Sequence, residues 1–194
     1  MLDNFQLLLT NVVQTAMTMV YIIIALWLIH LIDTWLLRGG LKQRFGIRPR
    51  TNFNPLNIFI APLLHANFGH LTANSIPLFV LGALILAQGQ LTFWLMTLLV
   101  MLVAGLGTWF FGKPDTLHIG ASGVILGYFG FILANVFVAP DLTTILIAGI
   151  VVVLYLGLIW QILPLKQGVS TTAHLFGFLG GVISTGLIAW LNPG

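Results

Sequence analysis

The chain has 194 residues, of which 59% are hydrophobic and only 6% are charged. A soluble domain usually has about 25% charged residues, so this composition excludes a soluble globule and predicts an integral membrane protein. Seven basic residues against four acidic ones are too few for the basic face of a nucleic-acid-binding protein. We therefore expect the lipid bilayer, and no nucleic acid, as a partner.

Apolar runs bounded by glycine, proline or charged residues predict an all-α membrane protein with six transmembrane helices. In chain order, the predicted spans cover residues 17–37, 70–88, 91–112, 121–138, 143–163 and 173–192. Six spans of roughly 20 residues use about 120 residues, which leaves room for loops but not for a separate soluble domain. We expect residues 1–194 to form a single membrane domain.

The first loop, from Arg38 to about Gly69, differs from the others. It opens with a basic stretch that ends at Arg50, and its apolar segment, residues 58–64, is too short to cross a bilayer. Irregular backbone is tolerated at membrane depth where it lies against protein or water. We predict that this loop is partly embedded.

Polar side chains within the spans or at their ends form three clusters, and such residues are functional candidates because polar groups are unfavourable in hydrocarbon. In the first cluster, His70 and Asn74 are four residues apart and share one face of the second span. Both side chains can donate hydrogen bonds towards one point.

The second cluster is at the start of the fourth span, where Gly120 and Gly123 lie on either side of Ser122. Flanking glycines let the backbone bend and approach a substrate closely. A serine at this position has an exposed hydroxyl beside the unpaired amides of a helix N-terminus.

The third cluster is on the sixth span, where His174 is followed by Gly177 and Gly181. This glycine spacing allows close helix packing, and the fourth span repeats it at Gly123 and Gly127. If the two glycine faces pack together, the serine and the histidine come within hydrogen-bond reach. A hydroxyl beside a base, with donors aimed at the developing oxyanion, is what nucleophilic catalysis requires.

This chemistry requires no metal and no cofactor, and a chain without cysteine cannot use a thiol nucleophile or a cysteine-based metal site. Three of the four aspartates are remote in sequence from Ser122 and His174, and the fourth, Asp115, is in the loop before the serine. We therefore predict a Ser-His dyad rather than a Ser-His-Asp triad.

Together the three clusters resemble the signatures of the rhomboid intramembrane proteases. The resemblance rests on the histidine and asparagine string ending at Asn74, the Gly-x-Ser-Gly at 120–123 and the Ala-His-x-x-Gly-x-x-x-Gly at 173–181. All three occur in the family's order, on spans two, four and six. The resemblance covers nearly the whole chain and implies a six-helix bundle that cleaves transmembrane segments of membrane proteins.

The resemblance also implies a role for each site residue. It implies Ser122 as the nucleophile, His174 as its general base, and the Ser122 amide with the side chains of His70 and Asn74 as the oxyanion hole. It implies a structural role for His65, which would brace the first loop.

Two places depart from the family's pattern. Leu56 and Asn57 stand where many rhomboids have a Trp-Arg pair in the first loop. Leu126 stands where some members have a tyrosine stacked on the catalytic histidine. Neither change removes a chemical group that the reaction needs.

Three polar residues outside the clusters receive simpler interpretations. His30 and Asp33, three residues apart near the end of the first span, are predicted to form an interfacial pair. His118, in a loop beside Asp115, is predicted to be a solvated side chain.

Two alternative functions stay open at this stage. One is a catalytically silent rhomboid-like protein that binds membrane clients, in which His70 and Asn74 make interhelical hydrogen bonds without catalysis. The other is a small transporter, which is less favoured because the chain shows no inverted repeat and no charged pathway through the spans.

The expected location is a multi-pass position in the plasma (inner) membrane of a bacterium, but the sequence leaves the orientation open. All seven basic residues lie in the odd-numbered loops, so the positive-inside rule puts the catalytic face in the cytoplasm. The family resemblance implies the opposite face.

Overall fold

The computed structural model describes residues 2–51, 53–162 and 170–191. Apart from one isolated bridge between Ile47 and His118, the described residues contain no β-structure, so the predicted all-α fold class is confirmed. The helices, in chain order, are α1 (Leu2–Leu31), α2 (Gly40–Phe45), α3 (Pro55–Ile60), α4 (Phe68–Leu86), α5 (Gln90–Phe111), α6 (Ser122–Val138), α7 (Leu142–Ile162) and α8 (Thr171–Leu191).

The six predicted spans correspond to α1 and to α4 through α8, and the predicted end residues 163 and 192 lie outside the described residues. Among the described residues, four apolar helices are long enough to cross a membrane, at Gln6–Leu36, Phe68–Leu86, Gln90–Phe111 and Thr171–Leu191. The apolar parts of α6 and α7 are shorter. The 17 residues of α6 extend about 25 Å at 1.5 Å each, less than the ~30 Å of a hydrocarbon core. By its length alone, α6 therefore does not span the whole hydrocarbon core.

The first predicted span, which begins at residue 17, starts well inside a longer helix. The helix α1 begins at Leu2, and it continues beyond Leu31 as a π-helical turn at Ile32–Leu36. No glycine or proline interrupts residues 2–31, and the polar side chains of Gln6, Thr10, Asn11 and Gln14 are exposed. Hydropathy marked the apolar part of the helix but not its first turns.

The centre of the bundle is α6, in which every residue from 123 to 132 is buried. This helix packs most closely along α8 and also contacts α4, α5 and α7. The first loop folds into α2 and α3, and α3 packs on α5. Two backbone hydrogen bonds of 3.0 and 2.9 Å between Ile47 and His118 tie the first loop to the segment before α6.

Candidate active site

The loop before α6 places Ser122 as the first residue of that helix. Gly120 has a φ of +113°, a conformation that strains residues with a side chain. A Cβ at Gly120 would lie 2.5 Å from Cε1 of His70 and 3.6 Å from Nδ2 of Asn74. A glycine is therefore required here both for the turn into α6 and for the close approach of the two α4 side chains.

The contact between α6 and α8 is made by glycines, and it brings the two predicted glycine faces together. A Cβ at Gly177 would overlap the carbonyl oxygen of Gly123, and a Cβ at Gly181 would overlap that of Gly127. The two backbones thus lie in van der Waals contact, which leaves little freedom in the position of one helix relative to the other.

This contact brings Ser122 and His174 together although they are 52 residues apart in the chain. The Nε2 atom of His174 lies 2.7 Å from the Oγ atom of Ser122. His174 is buried and Ser122 is half-buried. The serine also lines a cavity of about 40 Å³, which is large enough for a water molecule. A neutral imidazole in this position can accept the serine proton.

The two α4 side chains lie one helical turn apart and face the same loop. Asn74 is buried, and among the described residues its Nδ2 atom has no hydrogen-bond partner. His70 is half-buried. The backbone amide of Ser122, in the first turn of α6, has no acceptor within its helix. These donors surround the Gly120 backbone and can bind an oxygen that gains negative charge beside Ser122.

Comparison with known proteins identifies the family of the chain. The sequence profile of the Rhomboid domain matches residues 52–191. The chain belongs to the rhomboid family. It is therefore a multi-pass integral membrane protein with a helical bundle, and the resemblance drawn from the three motifs is confirmed.

Relatives of this rhomboid are bacterial proteins. Uncharacterized proteins of Mycobacterium tuberculosis and Mycobacterium bovis are each 36% identical to it over 180 residues, which cover 89% of this chain and 74% of theirs. YdcA of Bacillus subtilis, provisionally named a rhomboid protease, is 32% identical over 124 residues, which cover 62% of this chain and 61% of its own length.

His65 precedes α4 in this rhomboid and packs behind His70. It is buried, and its ring meets that of His70 edge-on with centroids 5.2 Å apart. Burial, and then the positive charges that His70 and His30 would bring, lower the pKa of His65 from 6.5 to about 3. His65 is therefore neutral at physiological pH and supports the neighbouring ring.

The predicted pair between His30 and Asp33 is wrong. Asp33 lies 3.8 Å from the ammonium of Lys42 and accepts a 2.8 Å hydrogen bond from the amide of Leu41. The ring of His30 packs edge-on against Phe68, and neither of its nitrogens has a hydrogen-bond partner among the described residues. The π-helical turn begins between the two residues and changes the spacing that the prediction assumed.

The prediction that His118 is solvated is also wrong. The ring is half-buried, with Nδ1 2.5 Å from Oγ of Ser170 and Nε2 2.7 Å from Oγ1 of Thr116. The carbonyl oxygen of Ser170 in turn accepts the amide of His174 at 3.0 Å. Burial, and then the charge of a protonated His174, lower the pKa of His118. His118 therefore connects the segment before the serine to the start of the histidine's helix.

The two departures from the family's pattern have clear local environments in this rhomboid. Leu126 is fully buried in the core of α6. The Nδ2 atom of Asn57 donates a 3.2 Å hydrogen bond to the carbonyl oxygen of Gly46. The asparagine thus ties α3 to the chain that follows α2, a contact within the first loop that needs no Trp-Arg pair.

Proposed function

We propose that this rhomboid is an intramembrane serine endopeptidase that cleaves transmembrane segments of membrane proteins. In this proposal Ser122 is the nucleophile and His174 is the general base. The observation that carries it is the 2.7 Å separation of Oγ and Nε2, on two helices whose backbones touch. Because both groups are already within hydrogen-bond distance, little reorganisation is needed before reaction.

The first step joins the serine to the substrate. As Oγ of Ser122 bonds to the carbonyl carbon, its proton passes to Nε2 of His174 and the carbonyl π electrons move to the oxygen. The new oxyanion is bound by the Ser122 amide, by Nδ2 of Asn74 and by the ring of His70. These donors act mainly in the transition state, where the charge develops.

The second half releases both products. The imidazolium of His174 gives its proton to the leaving amine as the carbon–nitrogen bond breaks, which leaves an acyl group on Ser122. Water then attacks this ester with His174 as the base, and the serine is restored. The steps use side chains of the protein, the Ser122 amide and water.

The expected substrate is a membrane segment that can unwind. A regular helix buries its carbonyl groups in its own hydrogen bonds, and the cavity beside Ser122, about 40 Å³, suits only small groups. We therefore expect cleavage near the end of a substrate span, beside small residues and upstream of glycine or proline. Because the relatives above are bacterial, we also propose the bacterial plasma membrane as the location.

The test is cleavage of a transmembrane substrate by purified protein, together with labelling by a fluorophosphonate. We expect Ser122→Ala to abolish both, His174→Ala to do nearly the same, and the double variant to be little worse than either, because the two groups act as a unit. The matched control is Ser184→Ala, since that buried serine donates to the Gly180 carbonyl on α8 and should be dispensable for cleavage.

The same measurements separate the alternatives. A silent client-binding protein would bind membrane proteins without cleavage and without labelling at Ser122. A transporter would show uptake in liposomes that survives Ser122→Ala. Cleavage that persists in that variant would contradict the proposed nucleophile.

A further inference from the structure

A second cavity, of about 440 Å³, lies in the first loop beside the C-terminal end of α5. We call it the loop cavity. It adjoins the small cavity at the serine, because Ile47, Ile58 and Gly105 line both. Its polar and aromatic lining residues include Gln43, Arg44, Arg48, Phe53, Asn57 and Trp109.

The positive charge of the loop cavity favours an anionic ligand. Arg44 and Arg48 both line it, and no acidic residue is among the described residues of its wall. The Oε1 atom of Gln43 accepts a 2.7 Å hydrogen bond from Nη2 of Arg48, which holds that guanidinium at the cavity. Two guanidinium groups without a carboxylate match the oxygens of a phosphate.

The rim of the loop cavity is apolar and exposed. The rings of Phe53 and Trp109 have centroids 5.1 Å apart, and those of Trp109 and Phe110 are 4.8 Å apart. Phe53 is 47% exposed and Phe110 is 54% exposed. Aromatic residues at the end of a membrane helix lie at headgroup level, so this rim borders the lipid. An anion bound in the loop cavity would therefore lie next to the hydrocarbon of the bilayer.

We propose that the loop cavity binds the phosphodiester headgroup of an anionic phospholipid, of which phosphatidylglycerol is a simple example. The phosphodiester binds Arg44 and Arg48, and the acyl chains lie along Phe53 and Phe110. The volume is in the range of small-molecule sites, roughly 300–1,000 Å³. Basic pockets beside membrane helices are suited to such headgroups.

The test measures lipid retention by native mass spectrometry, on the Ser122→Ala protein so that catalysis plays no part. The protein is loaded with equal amounts of phosphatidylglycerol and phosphatidylcholine. We expect Arg44→Gln with Arg48→Gln to lower phosphatidylglycerol retention about ten-fold, because charge-assisted hydrogen bonds are lost. The control, Arg38→Gln with Lys113→Gln, removes the same charge outside the cavity and should retain the lipid. Both cavity arginines are exposed, so the fold should survive, which a thermal melt checks.

Two further measurements test which group is bound. Phosphatidylmethanol has the same phosphodiester charge on a smaller headgroup, and we expect it to be retained as well as phosphatidylglycerol, because the two arginines bind the phosphodiester. Inorganic phosphate should fail to displace the lipid. If the cavity variant and the control variant lost phosphatidylglycerol equally, or if neither variant lost it, the proposal would be overturned. Displacement by inorganic phosphate would overturn the lipid as the occupant, and loss of phosphatidylmethanol while phosphatidylglycerol is retained would overturn the phosphodiester as the group that the cavity binds.

Discussion

Two sides of the candidate site are built in opposite ways. On one side, α6 and α8 meet through the glycines at 123, 127, 177 and 181, so that backbone lies against backbone around Ser122 and His174. On the other side, α4 and the first loop bring together buried polar side chains, and the amide nitrogen of Asn74 has no partner within the described residues.

The difference shows how one site can combine a rigid helix contact with a hydrogen-bond donor that has no partner among the described residues. Ser122 and His174 are held in position because the glycines of α6 and α8 let the two helix backbones touch. Two helices in contact have few alternative arrangements. The Nδ2 atom of Asn74 is instead carried by a side chain and has no hydrogen-bond partner among the described residues. A buried donor without a partner is unfavourable, and in the proposed mechanism this one binds the oxyanion that forms beside it.

The largest effect tests the side with the unpaired donor. Asn74→Ala removes the Nδ2 donor, and loss of one oxyanion-hole donor typically costs on the order of 10² to 10³ in kcat. Substrate binding should change little, because the charge is absent from the ground state. Steady-state kinetics with a transmembrane substrate measures both. The control is Asn135→Ala at the other end of α6. If KM rose and kcat were unchanged, Asn74 would belong to binding.

The next effect tests the glycine side. In Gly181→Ala, the new Cβ would overlap the carbonyl oxygen of Gly127, so the helices must part and carry Ser122 and His174 with them. A displacement of about 1 Å can lower turnover about 10²-fold. The control is Gly186→Ala on the same helix, where a Cβ meets no other atom within 4 Å. Full activity in Gly181→Ala would show that this contact does not position the pair.

The sequence is sufficient to predict what depends on local pattern. The apolar runs indicated the helices, and the four-residue spacing of Gly177 and Gly181 indicated a face without side chains. Ser122 and His174 could be matched because each lies inside a short motif. Their roles in catalysis stay predictions, as do those of the two α4 donors.

Features that depend on the meeting of distant segments could not be predicted in this way. The hydrogen bond of His118 to Ser170 joins residues 52 apart, and nothing beside either residue marks the other. The partner of Asp33 is Lys42 rather than His30 because a π-helical turn changes the helical spacing. The loop cavity is likewise formed by segments, α2 and the end of α5, that are far apart in sequence.

A smaller effect tests the link between the two segments that position the dyad. His118→Ala removes the hydrogen bond to Ser170 and loosens the start of α8, so we expect kcat to fall about ten-fold, the equivalent of one hydrogen bond. His118→Asn keeps a donor and an acceptor and should restore part of the loss. KM should stay the same in both variants. An unchanged kcat in His118→Ala would show that the link is dispensable.

The smallest effect is a dependence of stability on pH that originates on the side with buried polar groups. The folded protein lowers the pKa of His65 from 6.5 to about 3, chiefly through burial. Between these values the unfolded chain binds a proton that the folded chain does not, so the free energy of unfolding falls as the pH falls below 6.5. At pH 5.5 the loss is at most about 1.4 kcal/mol.

His118 contributes in the same direction, so the measurement must be a difference between two proteins. We expect the melting temperature to fall less in His65→Gln than in the native chain between pH 7.5 and pH 5.5, whatever the cost of the substitution itself at pH 7.5. The same decrease in both would show that His65 is protonated in the folded protein, and the buried cluster behind His70 would then contain a charge.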